Sequence, residues 1–448
     1  MSHAIRIPDN CEFPQLHALA DKKRLAAALQ QQLGASCTHR IARCRLLRLH
    51  YKPGICRVQI KAKISDDTGR ELGEQIYCGR IFPAGEGRSA FAAARHTDLL
   101  QTAFGRSLSF IPEWEMVLWA YPNDPDLPAL TTLLQPDKLR ALIAAAPQAL
   151  GLEPHDQPVT ATATVIKHVP GQRCMFLVDL TYAQHGTHRV FGKAYTEGAG
   201  RAAFNLMQAI WQTSARQRGE FRLPRPYSYD AQLDLVWQEA IAGQALSELE
   251  DKAELPRLGR RAGEALAAFH GSGLQLPEQM NLAYQMQELQ RAHAAVHESF
   301  PQYVAAFSAI HDRLLAAQAQ LPPVRLTPVH ASFKFSHLLH DGRNLVFIDF
   351  DGANQGDPCY DLGRFAAYLG KMQAQGEITA DLAQRTFANF RAAYLQNATQ
   401  AIADERIAWF ASSQLLSSQV YKAMKSSEAT LVEQLLLLAA NAWTDYAG

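Results

Sequence analysis

Charge of one sign is what this chain most lacks. Lys and Arg total 44 against 43 for Asp and Glu, a formal net charge of +1. Proteins that track nucleic acid or anionic membrane carry a basic footprint, so this balance excludes one spread over the whole surface, leaving only a local basic patch open. None of the seven cysteines, Cys11, Cys37, Cys44, Cys56, Cys78, Cys174 and Cys359, forms a CxxC pair, and no Cys/His set has zinc-finger spacing. The odd count, and an opening MSHAIRIPDNCEF without the apolar run of a leader, imply reduced thiols and a cytoplasmic location. No apolar stretch reaches the about 18 residues of a membrane span. The longest, within VEQLLLLAANAW near the end, reads as a core helix.

What is present is ordinary globular material, with 48% hydrophobic and 19% charged residues. At 448 residues the chain exceeds what one core of about 250–300 residues supports, so two or three domains are expected. A repeat appears in the first half. RLLRLHYKPGICRVQIKAKI (45–64) and TATVIKHVPGQRCMFLVDLTY (162–182) both read strand, Pro-Gly turn, strand, with Cys soon after the turn. YCGRIFPAGEGRSAF (77–91) then matches VFGKAYTEGAGRAAF (190–204), each placing Gly and a cation, Arg80 or Lys193, on a strand before a helix. EWEMVLWAYPNDPDLPAL (113–130) matches DLVWQEAIAGQALSEL (234–249). The matched order suggests two β-rich units of one plan, joined by a helix and linker over 133–158. The alternative is that any two α+β segments align this loosely.

From about 251 onward the spacing is helical. PRLGRRAGEALAAFHGSGL carries apolar residues at helical intervals, and the stretch from Met280 predicts two helices broken at Pro301. Two loops interrupt the helices: VHASFKFSHLL (329–339), and IDFDGANQGDP (348–358) after the apolar strand LVFI.

The ordered set LVWQEAIAGQAL, AGEALAAFHGSGL, VHASFKFSHLL and FIDFDGANQGDPCYDLGRF resembles the aminoglycoside phosphotransferase/choline kinase family over roughly residues 160 to 448. The resemblance implies an α+β, protein-kinase-like bilobal fold: a small antiparallel-sheet lobe and a large helical lobe, here preceded by a second small-lobe-like α+β domain. The implied boundaries are 1–150, 151–248 and 249–448. It further implies ATP and Mg²⁺ (or Mn²⁺) as cofactors and a small hydroxylated or amino compound as acceptor.

Phosphoryl transfer needs positioning and cations more than covalent chemistry. By resemblance Asp349 is a metal ligand, since a carboxylate at a strand end suits a hard cation. The alternative is a carboxylate capping a turn. Asp351 either assists it or anchors the turn. Lys193 would meet the α and β phosphates, as the strand lysine of kinases does, or be a solvated lysine on an edge strand. Gly171 of the hairpin belongs to the same nucleotide site. Trp237–Ile241 resembles a hinge strand, with Glu239 and Ile241 beside an adenine edge and Val165 and Phe347 flanking its ring, or all of these are ordinary core. Asp357 and Asp361 read as helix-start caps, the latter with a supporting role behind the loop, and His270 as structural.

The anomaly lies in the catalytic loop. The family pattern is His-Gly-Asp-x-x-x-x-Asn; this chain has His330, Ala331, Ser332 and, at the last position, His337. Serine cannot accept a proton as a carboxylate does, and such general-base help is typically worth about 10²–10⁴ in rate. Imidazole prefers softer ions than Mg²⁺. His330 is the nearest substitute base, and Lys334 is placed to contact a phosphate. Three readings result: a nucleotide-binding, pseudokinase-like protein with impaired catalysis; an active kinase of a small hydroxylated metabolite using a non-standard base; or a non-catalytic assembly module whose N-terminal domain docks a protein partner. Neither nucleic acid nor membrane is an expected partner.

Overall fold

The computed structural model describes residues 13–33, 38–52, 54–94, 98–151, 158–183, 186–277, 279–425 and 428–446. Cys11, Cys37, the first hairpin's Pro53 and the linker residues 152–157 lie outside them. The chain divides into two compact units. One holds the described residues up to Phe204 with Tyr227–Ala240; the other holds Asn205–Pro226 and everything from Ile241.

The first unit contains two five-stranded sheets. After helix α1 (Lys22–Leu33), β1 (Arg40–Lys52), β2 (Ile55–Ser65) and β3 (Glu71–Ile81) form a meander, followed by α2 (Gly87–Ala93), β4 (Leu108–Ile111) and β5 (Met116–Ala120). Two helices, α3 (Pro128–Leu133) and α4 (Pro136–Ala145), lead to β6 (Thr160–Val169), β7 (Arg173–Tyr182) and β8 (Gly186–Tyr195). Helix α5 (Ala199–Trp211), whose residues from Asn205 belong to the other unit, precedes β9 (Pro226–Asp230) and β10 (Leu235–Glu239), which complete the second sheet. The strand orders are β1-β2-β3-β5-β4 and β6-β7-β8-β10-β9.

Period-two alternation creates both cores. Cys56, Val58, Ile60, Ala62 and Ile64 of β2 face inward, as do Cys174, Phe176, Val178, Leu180 and Tyr182 of β7. Burial pushes the Cys174 thiol up to about 12, so it behaves as a small apolar group. The same turn chemistry recurs before the last long strand. Glu115 and Asp234 sit at φ 48° and 46°. Their carbonyls accept from the amides of Phe82 and Tyr195. Their carboxylates accept from Gly87 at the start of α2 and from Gly198 and Gly200 at the start of α5, fixing where the helix after β3 or β8 begins.

The second unit is helical. After α6 (Ser214–Gln217) come α7 (Leu255–His270), α8 (Leu282–Ser299) and α9 (Val304–Gln318), then α10 (Pro358–Ala374), α11 (Ala380–Asn397) and α12 (Asp404–Gln414). A wide helical turn, Leu415–Val420, joins α12 to α13 (Tyr421–Lys425), and α14 (Ala429–Tyr446) ends the unit. Pro301 opens the turn that separates α8 from α9. Two three-stranded sheets carry the loops: β11 (Gln244–Ala245) with β14 (Leu338–His340) and β15 (Leu345–Phe347), and β12 (Gln279–Met280) with β16 (Asn354–Gly356) and β13 (Thr327–Val329). Beneath them Phe365 and Phe390 stack at 3.9 Å, with Phe333 against both. No described helix is long and apolar enough to cross a membrane.

Candidate functional site

The loop after β13 is held from behind by one carboxylate. Asp361, wholly buried in the first turn of α10, accepts from the His330 amide at 2.6 Å and the Ala331 amide at 2.9 Å. Its third partner is His270 Nε2 at 3.1 Å, and His270 Nδ1 lies 2.8 Å from the Tyr394 hydroxyl. Ala331 takes φ 62°, a left-handed conformation that a non-glycine residue keeps only when its surroundings impose it. Asp361 is thus more than a helix-start charge: it sets the backbone that presents Ser332.

His330 itself has no exposed surface. Its Nε2 donates to the Ile348 carbonyl at 3.0 Å, its Nδ1 has no hydrogen-bond partner among the described residues, and its ring packs 4.6 Å from that of Phe350. Burial lowers its pKa, so the ring is neutral. A base role would require this enclosed ring to reach an acceptor outside it. The geometry suits positioning instead.

Asp349 follows β15 at φ 65°. Pairing of Leu338 with Phe347 brings the residues just beyond that pair together, and His337 Nε2 lies 3.3 Å from Asp349 Oδ2. The His337 pKa falls to about 3, by burial first and Lys334 second, against the opposing pull of Asp349. A neutral imidazole beside a carboxylate is a competent donor pair for a divalent cation. The set stops at two. Asp351 is exposed in the next turn, and it does not join Asp349 and His337 in a three-ligand cluster among the described residues. A Mg²⁺ that arrives on nucleotide phosphates needs only one or two protein carboxylates, and Asp349 fits that need.

Phe347 corrects one expectation. Its ring is fully buried, 5.0 Å from that of Phe333, so it belongs to the core and has no surface to offer an adenine. Ile241, also in this unit, is partly exposed. Lys193, Gly171, Val165 and Glu239 belong to the β-rich unit. Lys193 lies on β8, the central strand of its sheet, with 5% exposure and its Nζ 5.4 Å from the Tyr195 ring centroid. It is not a solvated edge lysine. Arg80 holds the same place on β3, where it pairs with Asp126. Val165 is half-buried against its sheet's core, and Glu239 ends β10 opposite Val190.

Gly171, at φ 64°, turns the hairpin between β6 and β7, and its amide donates to Asp124 Oδ2 at 2.9 Å. His168 Nε2 meets the same oxygen at 2.9 Å, and Cys78 completes a group whose ligand atoms all lie within 4.8 Å of one another. Sequence reasoning missed this cluster because its members come from three separate segments with no local spacing. It also missed a group of cations beside Ser332, two of which, Arg364 and Lys371, stand at helical spacing on α10 and were open to detection.

Residues 182–401 match the family model described as the phosphotransferase enzyme family. Among solved structures, a protein of Ralstonia eutropha JMP134 provisionally assigned as an aminoglycoside phosphotransferase is similar at 15% identity, covering 69% of this chain and 98% of its own, with a TM-score of 0.48. A choline/ethanolamine kinase family protein from Mesorhizobium loti is 15% identical over 69% of this chain and 97% of its own, at a TM-score of 0.43. A choline kinase from Streptococcus pneumoniae is 12% identical over 69% and 99%, at 0.44. None of these TM-scores reaches 0.5. No curated protein matches the sequence.

Proposed function

We propose that this chain, a member of the phosphotransferase enzyme family across residues 182–401, binds ATP with a divalent cation but transfers its phosphoryl group poorly or not at all. The observation that carries the reading is the pairing of a retained Asp349 with Ser332 at the position of the family's proton acceptor. In this reading Asp349, with His337 beside it, holds the cation, which would neutralise charge on the phosphate oxygens. Lys193 meets the α and β phosphates. Gly171, Val165, Glu239 and Ile241 contribute nucleotide contacts, and Asp351 anchors its turn. His330 keeps the loop in place, and Ser332 offers an acceptor a hydrogen bond but no strong base.

Two features support the duplication within this reading. The strand orders of the two sheets agree, and Glu115 and Asp234 repeat the same turn. The first copy has Arg80 where the second has Lys193, and it is proposed as a docking or covering element, not a second catalytic site. A residual kinase activity is favoured by one observation, the open cavity that still borders Ser332, because a loose transition state needs little early deprotonation of an attacking hydroxyl. The acceptor would then be a small hydroxylated compound, and the expected location is cytoplasmic.

Calorimetry with ATP and Mg²⁺ or Mn²⁺ tests the reading. Wild type should bind, and Asp349→Ala should weaken binding at least about tenfold, the usual scale for losing one charged contact, with an unchanged melting temperature. Equal binding by the variant would remove Asp349 from the nucleotide site, and no binding by the wild type with either metal would overturn the nucleotide reading and favour an assembly role.

A further inference from the structure

A cavity of about 570 Å³ opens beside the loop that carries Ser332, a volume within the range of small-molecule sites. Four cationic side chains line it, Lys334, Arg364, Lys371 and Lys422, against one carboxylate, Glu428. They come from three places. Lys334 lies two residues beyond Ser332. Arg364 and Lys371 are seven apart on α10 and share its face. Lys422 stands on α13 just after the wide turn Leu415–Val420, a helix irregularity of the kind that gathers at functional sites.

Neutral groups contact two of these cations, Arg364 and Lys371. Arg364 Nη2 donates to the Tyr360 hydroxyl at 3.0 Å and Nη1 to Ser418 Oγ at 3.4 Å, while its buried Nε has no acceptor among the described residues. Lys371 Nζ lies 5.5 Å from the Tyr368 ring centroid. The Lys422 ammonium is held below its ordinary pKa, first by partial loss of water and then by the positive field of Arg364, Lys334, Lys371 and Lys425. Its side chain is otherwise exposed, so solvent screens part of that field. Like charges gathered around one cavity repel each other, and an anion placed among them relieves that repulsion.

We infer that this cavity takes a phosphate monoester of a small hydroxylated compound and rejects cationic amino compounds. A dianion with three acceptor oxygens matches a guanidinium fork, several ammonium groups and the hydroxyls of Ser332 and Ser336 better than any amine does. The inference rests on the phosphotransferase reading only for placing a ligand hydroxyl near Ser332. The choice of an anion rests on the cavity's own charges.

The test titrates the full chain with glucose 6-phosphate, ribose 5-phosphate and glycerol 3-phosphate, and with inorganic phosphate, ribose and kanamycin for comparison. At least one ester should bind more tightly than inorganic phosphate, ribose and kanamycin should not bind, and added salt should weaken the ester. Lys371→Gln and Lys422→Gln should each lose about tenfold in affinity, the scale of one charge-assisted hydrogen bond, while melting as wild type does. Kanamycin binding, failure of all three esters, or affinity unchanged in both variants overturns the inference. ATP with Mg²⁺ is titrated separately. Sugar phosphate binding without ATP binding would sink the phosphotransferase reading and leave this one standing; ATP binding that needs Asp349, with no ester binding, would do the reverse.

Discussion

Replacing Asp361 with asparagine should do nearly as much damage as replacing it with alanine. The carboxylate is wholly buried and accepts two backbone amides, at 2.6 and 2.9 Å, from consecutive residues. A buried donor left without its acceptor costs about 1–3 kcal/mol, so alanine loses about 2–6 kcal/mol from the two amides alone. Asparagine keeps the shape and one carbonyl oxygen. Its NH₂ group must then face one of the two amides, that of Ala331 at the Oδ1 position or, at the Oδ2 position, that of His330 together with the His270 ring nitrogen. A donor facing a donor cannot restore the lost bond, and Ala331 at φ 62° loses what holds it there. Amide hydrogen exchange at His330 and Ala331 reads the effect locally and avoids assuming that both units unfold together. A loss of about 2 kcal/mol appears as roughly thirtyfold faster exchange in both variants. Asparagine exchange within a few-fold of wild type at both amides would refute the reasoning and reduce Asp361 to a space-filling role.

Gly263→Ala should destabilise the helical unit although alanine is the better helix former by about 1 kcal/mol. A Cβ there would meet the Phe390 carbonyl oxygen at 2.2 Å and force α7 from α11; the denaturation midpoint should fall by the equivalent of about 1–3 kcal/mol. His293, stacked 4.1 Å from His311 and edge-on to His297 at 4.5 Å, has a pKa lowered by burial and then by those two rings. Below its unfolded value of about 6.5 the unfolded chain takes up a proton that the folded ring resists, so its contribution is complete above that pH and is lost as pH falls through it. Melting curves from pH 7.5 to 5 should therefore decline less steeply for His293→Gln than for wild type, and parallel curves would count against the assignment. Ser332→Asp should raise ATP turnover with hydroxylated acceptors by up to the about 10²–10⁴ typical of a general base; no gain would mean that more than the base is missing.

Much of the architecture was legible. Pro-Gly flanked by alternating apolar residues marks both hairpins, because turn geometry and a two-residue period are local properties. The break between α8 and α9 follows from Pro301 for the same reason. Which face of a strand points inward is harder to read when the strand is three residues long. LVF is apolar throughout, so nothing in it tells Phe347 from its neighbours, and the fully buried ring went to the wrong environment. Lys193 was ambiguous because one strand does not reveal its place in the sheet; the strand order makes it central. The cations around Ser332 were hidden by arithmetic. A net charge of +1 is an average over the chain, and Lys334 and Lys422 meet α10 only through tertiary packing.

The hairpin at Gly171 has one further consequence. A glycine turn above a nucleotide is useful because its backbone amide can point at a phosphate oxygen. Here that hydrogen is already engaged by Asp124, and a side chain at Gly171 would run into Arg57 and a carboxylate oxygen of Asp126. To grip a phosphate through this amide, the turn would first have to exchange one anion for another. Under the proposed nucleotide-binding reading, Asp124 would thereby set a threshold on phosphate capture by this turn without itself touching the nucleotide.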